Sequence, residues 1–283
     1  MAARHPYARP DYVAALGDVI AVDPWVTPVI ARPFTDVRDA AGSYPMAIIA
    51  DDIADGLDSL RDAGLVSVVV VPDPLTGDVA RFRNGFGHVV PFKTHLLVEG
   101  PFEPSAHHRE RIRRGQRRCR VETGPLRQWL GQWKALYAEL VAHRGISGTA
   151  DFSETYFDVL AGYDEIVAFA AFVGDDIAGI TLWFAWDGVV YNHLTACNDI
   201  GYKNGAAFAL YDAAIGHFSG AGVMNLGGGA GAYGAEDGGL FAFKQGFANA
   251  SVTAHVCGAV LDQAAYDRLS AGKATAFFPA YRG

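Results

Sequence analysis

Cysteine is scarce in this chain, with three residues, Cys119, Cys197 and Cys257, among 283. An odd and scattered set gives neither a disulfide framework nor a metal-ligand spacing, which excludes a small secreted scaffold. Long apolar runs are missing as well. The run at 166–173 has only eight residues, and a membrane span needs about 20. The opening Met-Ala-Ala-Arg-His-Pro-Tyr has no apolar signal region. Histidines are dispersed apart from His107 and His108, and helical neighbours do not face one site. There is no Gly-x-Ser-x-Gly nucleophile turn and no Walker loop. These absences lead us to expect a cytoplasmic protein with structural thiols, no metal and no membrane contact; a monomer is expected, though no feature of the sequence sets the oligomeric state.

Apolar residues make up 51% of the chain and charged residues 19%, so it can build a packed core and is not disordered. The length suits one large domain or two of average size. Net charge is −8 and uneven: residues 109–120 hold seven arginines against one acid, Glu110. That segment is +6, which leaves −14 for the remainder. An acidic chain is repelled by nucleic acid, but a local arginine cluster still engages phosphates. The alternative is a solvated helix whose arginines pair with acids elsewhere.

The second half is patterned clearly. Pro125 suits a helix start. Leu126, Trp129, Leu130, Trp133, Leu136, Tyr137 and Leu140 then recur at three- and four-residue steps, an apolar helical stripe. Ser153 suits the N-cap of a second helix. Strands are predicted at 165–173, 177–186 and 189–197, separated by Gly174-Asp175-Asp176 and Asp187-Gly188 turns. A polar loop at 198–204, a helix over 205–218, a strand at 223–226, a Gly-rich loop, a helix near 239–246 and a strand near 250–261 complete the order. In the first half, helices are expected at 11–16 and 53–63, and strands near 25–31, 46–50, 65–71 and 89–98. An internal echo links the halves: Phe82-Arg83-Asn84-Gly85-Phe86 matches Phe243-Lys244-Gln245-Gly246-Phe247. Each copy precedes a β-rich stretch, which favours a duplicated domain.

The element order of the second half resembles the GNAT acyltransferase fold. Leu226-Gly227-Gly228-Gly229, then Gly239-Leu240, then Phe243-Lys244-Gln245-Gly246-Phe247 resemble the Fem-type tandem-GNAT transferases. So do Phe92-Lys93-Thr94-His95 ahead of the arginines, the opening from Pro6-Tyr7 to Gly17, and the ending Phe277-Phe278-Pro279-Ala280-Tyr281-Arg282. The resemblance therefore spans nearly the whole chain. It implies an α/β (α+β) fold of two tandem GNAT-like domains with mixed central sheets. The N-terminal domain would cover 1–124 and the catalytic one 125–283, with the tail after about 266 packing on the first. Members of that family move an amino acid from aminoacyl-tRNA to a muropeptide amine. Short stand-alone members, as in pacidamycin-type peptidyl nucleoside pathways, use a peptide-like amine. No stretch here is long enough for the helical arm of many bridge-forming members, which favours the short subtype. The implied partners are aminoacyl-tRNA and a small peptide or peptidyl-nucleoside acceptor, with no bound cofactor.

Amide formation from an ester develops an oxyanion, which a cation or N–H donor stabilises. The resemblance gives this role to Lys244 and places Phe243 beside the donor's terminal ribose or carbonyl. The alternative is a surface lysine and a core phenylalanine. Tyr202-Lys203-Asn204-Gly205-Ala206-Ala207 stands where coenzyme A-using GNAT enzymes carry Gln/Arg-x-x-Gly-x-Gly/Ala. Gly205 and Ala207 fit and Tyr202 departs, yet Lys203 and the helix dipole would still hold a phosphate. The departure moves the expected donor from acyl-CoA, the alternative, toward aminoacyl-tRNA. Tyr191, His193 and Thr195 alternate on a predicted strand and so share a side. His193 would take the amine proton, with Tyr191 and Thr195 binding substrate; the alternative is a structural histidine. Asp39 and Tyr44 lie in a segment similar to the family's acceptor loop. There they would hold an amine and stack on a base or sugar; the alternative is a plain turn. Gly228 and Tyr233, in the Gly-rich stretch, are expected to line the cleft, with Asp237 as a helix cap. Arg113, Arg114, Arg117 and Arg118 are the expected tRNA contacts, electrostatic and sequence-tolerant.

Overall fold

The computed structural model describes residues 4–22, 25–49, 52–76, 78–101, 103–230 and 238–283. Its strands, in chain order, are β1 (Asp18–Ile20), β2 (Val29–Phe34), β3 (Val37–Gly42), β4 (Ser67–Val70), β5 (His88–Glu99) and β6 (Arg120–Pro125). They continue with β7 (Ile166–Val173), β8 (Asp176–Trp186), β9 (Val189–Cys197), β10 (Val223–Gly227) and β11 (Ala250–Val260). The chain divides into two compact units, Met1–Phe92 with Thr253–Gly283, and Lys93–Val252.

In the first unit β1, β2 and β3 form an antiparallel meander. β4 then pairs with β3 in parallel, and β11 with β4 antiparallel. A parallel neighbour requires a crossover, and the Ile53–Asp62 helix supplies it. That helix buries Ile53, Leu57 and Leu60, a single stripe. The stripe lies in a core with Trp25, Val68, Val70, Phe82 and Phe86.

The second unit repeats the plan. β6, β7, β8 and β9 are an antiparallel meander, β10 is parallel to β9, and β5 is antiparallel to β10. The crossover helix here is Ala206–His217, which buries Leu210, Tyr211 and Ala214. They share a core with Phe169, Trp183, Leu226 and Phe247.

The five-residue echo occupies equivalent places. Phe82–Phe86 closes the Val79–Gly85 helix before β5, and Phe243–Phe247 closes the Gly239–Gln245 helix before β11. Its glycine has one job in both copies. A Cβ on Gly85 would meet the Ile53 side chain at 2.6 Å, and one on Gly246 would meet the His108 ring at 1.9 Å. The strand after each echo crosses a unit border, so its paired residues lie in a different unit from the echo itself. β5 pairs with β10 through Leu96, Leu97, Val98 and Glu99, and β11 pairs with β4 through Cys257 to Val260. The compact units therefore have borders at 92/93 and 252/253, where sequence reading set one border at 124/125. Linear reading keeps each strand with the motif before it, and only pairing reveals the exchange. The tail belongs to the first unit: Tyr281 Oη lies 2.7 Å from Ser67 Oγ, and the Phe278 ring stacks on His88 at 4.7 Å.

The strands β7, β8 and β9 follow their predicted ranges closely. Elsewhere the structure corrects the reading. The expected loop at 198–204 is a helix, Asp199–Asn204, because the Asn198 side chain caps it by accepting from the Gly201 N–H at 2.9 Å. Pro125 ends an edge strand and is also the N-cap of a short 3-10 helix, Leu126–Trp129, that leads into the long helix at Leu130. An edge strand pairs on one side only and needs little hydrophobicity, so Arg-Val-Glu-Thr-Gly-Pro carried no strand signal. The expected strand near 46–50 is a single bridge, Ala47 to Pro72, while the unpredicted β3 carries Asp39. No helix among the described residues is long and apolar enough to cross a membrane.

Candidate active site

Lys244 is the centre of the second unit's polar interior. It is a lysine only 8% exposed, on the Gly239–Gln245 helix. Its Nζ donates to the Gly228 carbonyl oxygen at 3.0 Å. Burial, with Lys93 nearby, lowers its pKa from the ordinary lysine range to about 7. Lys93 and His95 stand two apart on β5 and so face the same side. Burial lowers the Lys93 pKa too. Burial, reinforced by Lys244 and Lys93, lowers that of His95 to about 4. Asn225 on β10 lies beside them, its Nδ2 3.2 Å from His95 Nδ1 and its Oδ1 2.8 Å from the Gly227 N–H. The Gly228 expected in the cleft is thus here, and it serves through its carbonyl.

A second polar feature lies at the arginine-rich helix, Ala106–Arg118. Arg111 and Arg114 line a cleft of about 440 Å³ with Tyr202, Lys203, Gly205 and Phe208. Arg114 and Arg118 donate to the Lys203 carbonyl at 3.3 and 3.5 Å. Residues 111, 114 and 118 follow the helical repeat, which aims them at one side. Arg113, Arg114, Arg117 and Arg118, the four expected tRNA contacts, are all exposed on this helix, and of these Arg114 lines the cleft. The buried face of this helix carries His108, Ile112 and Gly115. A Cβ on Gly115 would meet Gly205 O at 2.6 Å, so this close approach of the helix to the loop requires glycine.

His108 joins the two features. Its Nε2 lies 2.9 Å from the Phe243 carbonyl oxygen, and its ring is 5.3 Å from Phe208 and 5.0 Å from Phe247. Phe208 lines the cleft and stands 4.9 Å from the Phe243 ring. A continuous aromatic wall therefore runs from the arginine cleft to the residue before Lys244. Phe243 also packs on Tyr211, with centroids 4.8 Å apart. It is a half-buried member of this wall.

The remaining expected residues are placed elsewhere. β9 has a bulge against β8: Leu182 faces Leu194 while Trp183 faces Asn192, which leaves His193 as the extra residue. A bulge shifts the alternation by one. Thr195 Oγ1 therefore joins Thr181 Oγ1 at 2.7 Å, and Asn192 and Tyr211 complete that group. His193 instead meets Tyr156 Oη at 2.7 Å and Phe184 at 5.2 Å, and burial lowers its pKa to about 3. Tyr191 pairs across from Phe184 and goes with His193. His193 is a packed histidine on the side of β9 away from Thr195.

Asp39 has 0% side-chain exposure and is held by two arginines in the first unit. Arg32 contacts it at 2.9 and 3.2 Å, Arg282 at 2.6 and 3.0 Å, and Tyr281 Oη at 2.9 Å. Both Asp39 oxygens thus accept from the tail residues Tyr281 and Arg282 and from Arg32. Tyr44 is partly buried, and its carbonyl accepts from Tyr12 Oη at 2.6 Å. Tyr233 and Asp237 lie outside the described residues.

Sequence reading passed over Lys93, His95, Asn225, His108 and Arg111 as site residues. Asn225 carried one usable signal, a lone amide in the apolar strand Val-Met-Asn-Leu. No metal spacing was legible either. Among the described residues, Glu139, His143 and Asp199 nevertheless place one potential ligand atom each within 4.8 Å of one another, with His143 and Asp199 exposed. Asp199 comes from a different helix, which sequence spacing cannot show.

Comparison with known proteins bears on the fold. A family model described as an acetyltransferase (GNAT) domain matches residues 106–245, from the arginine helix to Gln245. No curated protein matches the chain by sequence. Among solved structures, FemX is similar with a TM-score of 0.62 at 11% identity, over 93% of this chain and 94% of that one. L-PGS from Bacillus licheniformis is similar with a TM-score of 0.61 at 14% identity, over 87% of this chain and 86% of that one. A C-terminal domain from Agrobacterium fabrum, described as that of a putative lysylphosphatidylglycerol synthetase, has a TM-score of 0.61 at 13% identity, over 90% and 87%. The fold is thus a pair of tandem GNAT-like domains in mixed α/β architecture, as expected.

Proposed function

We propose that the protein is a cytoplasmic, monomeric aminoacyltransferase. It moves an amino acid from aminoacyl-tRNA to the free amine of a small peptide or peptidyl-nucleoside acceptor, in peptidyl antibiotic biosynthesis. The observation that carries this reading is the buried Lys244, poised near neutrality at the end of an aromatic wall that begins at an arginine-lined cleft. In the reaction the amine attacks the ester carbonyl. The carbon–nitrogen bond forms, the bond to the terminal ribose oxygen breaks, and the amine proton ends on that leaving hydroxyl. Protonated Lys244 stabilises the oxyanion between these steps. Arg111, Arg114 and Lys203 supply cations for the donor's phosphates, with the arginines suited to paired contacts. Burial of Lys244 strengthens its own effect on the oxyanion by removing water. The likeness to FemX and L-PGS supports the fold on which such a reaction would run.

A second reading is an acyl-CoA-dependent N-acyltransferase. Gly205 at the start of the twelve-residue Ala206–His217 helix favours it, since helix N-termini bind pyrophosphate. Two assays decide between them. Labelled aminoacyl-tRNA and labelled acetyl-coenzyme A are each incubated with the protein and a peptide amine, with and without ribonuclease. Ribonuclease-sensitive transfer from the first donor supports our reading. Transfer from the thioester alone overturns it in favour of the second, and transfer from neither overturns both.

A further inference from the structure

Asn225 sits at an irregularity in the pairing of β10 with β5. Asn225 pairs with Leu97 and Gly227 with Leu96, so β10 carries an extra residue, Leu226, at this point. The bulge turns the Gly227 N–H onto the Asn225 side chain, at 2.8 Å. A backbone N–H can only donate, so the atom facing it must be Oδ1. That fixes the amide: Nδ2 faces His95, 3.2 Å from Nδ1. An amide nitrogen can only donate, so Nδ1 of His95 must accept. A neutral imidazole that accepts at Nδ1 carries its proton at Nε2. An amide turned the other way would accept from a charged ring, and the bond to Gly227 forbids that turn. His95 is 8% exposed and Asn225 2%, so water does not compete for these positions.

The same amide acts on Lys244. The Gly227 N–H that it holds precedes the Gly228 carbonyl, and that carbonyl receives the Lys244 Nζ. One side chain thus sets the tautomer of His95 and the position of the lysine's acceptor.

We propose that Asn225 is a positioning residue for the Lys244 centre, holding His95 as a neutral Nε2–H donor and fixing the Gly227–Gly228 turn that seats the lysine. The importance of this for turnover rests on the proposed role of Lys244; the tautomer does not. Charged groups facing His95 are Lys244 from its helix and Lys93 from the same strand. A neutral ring adds no third positive charge beside them.

The test uses the full chain and two independent measurements. Nitrogen NMR of histidine-labelled protein, with His95 assigned by its absence in His95→Gln, reads the tautomer directly. The wild type is expected to show an unprotonated Nδ1 and a protonated Nε2 at pH 7. In Asn225→Asp one carboxylate oxygen still meets Gly227, and the other turns Nδ1 into a donor. Protonation at Nδ1 is then expected, with the Lys244 titration moved upward by the new carboxylate. The second measurement is transfer kinetics of Asn225→Asp and Asn225→Ala. Losing one buried hydrogen bond at the reacting centre is expected to lower kcat about tenfold with KM little changed. Thermal unfolding identifies any variant that does not fold, and the fold-independent reading is then taken from the wild-type tautomer. A wild-type ring protonated at Nδ1 overturns the proposal, as does an unaltered tautomer in Asn225→Asp. Correct tautomers with unchanged kcat confine Asn225 to structure and overturn the positioning role. Absence of any transfer in the wild type would instead count against the proposed reaction and leave the NMR result standing.

Discussion

The Nζ of Lys244 donates to the carbonyl oxygen of Gly228 at 3.0 Å, across a gap of sixteen residues in sequence. That bond keeps a long, buried and otherwise mobile side chain in one place. It also leaves Nζ two further N–H groups.

From this geometry, Lys244→Ala is expected to lower the rate of transfer about 100-fold or more. Single-turnover kinetics read the loss, and unfolding curves verify the fold. Protonated Lys244 stabilises an oxyanion more strongly than its neutral amine does, so the wild-type rate should fall as pH rises through about 7. Lys244→Arg stays protonated throughout, and whatever rate it retains should lack that decline. A wild-type rate that climbs through pH 7 would assign the neutral amine as a base instead.

Arg111 and Arg114 line the cleft beside Lys203. Replacing both with Glu should weaken tRNA binding and flatten its salt dependence. For every phosphate that is no longer neutralised, the slope of log affinity against log salt should shrink by about 0.7–0.9. Filter binding across a salt series tests this, and an unchanged slope would take the cleft out of donor recognition.

Asp39 offers the opposite kind of test. Asp39→Asn leaves Arg32 and Arg282 without their buried counter-charge, at a cost of about 3–5 kcal/mol. Urea unfolding should show that loss, while transfer per folded molecule stays near the wild-type value. A selective loss of activity without loss of stability would return Asp39 to substrate binding.

Gly246→Ala pushes a methyl group into the His108 ring. Overpacking of this kind costs about 1–3 kcal/mol. The change should also disturb the bond between His108 and the Phe243 carbonyl next to Lys244. Stability in denaturant and the rate of transfer should therefore both fall, unlike in the Asp39 variant.

Stability itself should depend on pH through His193. Its folded pKa lies at about 3, well below the ordinary value of 6.5. Between those two values the unfolded chain binds the extra proton, so stability falls as pH falls from 6.5 toward 3. The slope is about 1.4 kcal/mol per pH unit at most for this one group. His5 and His95 act in the same direction. Unfolding temperatures of His193→Gln across this range should show a shallower decline than the wild type.

Much of the architecture was legible because it is local. Gly174-Asp175-Asp176 and Asp187-Gly188 mark tight turns, and the strands they separate were bounded to within a residue or two. The Phe-basic-polar-Gly-Phe echo pointed to duplication, and its glycines prove to meet the same packing demand in both units. Lys244 was legible through its motif. His193 and Thr195 were misread as one face because a bulge depends on the partner strand, and no single-strand pattern contains it. The ion pair of Asp39 was not legible because its partner Arg282 lies 243 residues away.

The sequence by itself determined the turns, the amphipathic helices and the duplicated motif that carries Lys244. These follow from φ/ψ preferences, apolar periodicity and residue chemistry, which act over a few neighbours. Tertiary structure decided which unit each exchanged strand joins, which arginines share a cleft, and that Lys93, His95 and Asn225 surround Lys244. Those outcomes rest on pairing register and burial, which bring β5, β10 and the 239–245 helix together from positions up to about 150 residues apart. A lysine becomes a near-neutral reactive group only when such distant segments exclude water around it.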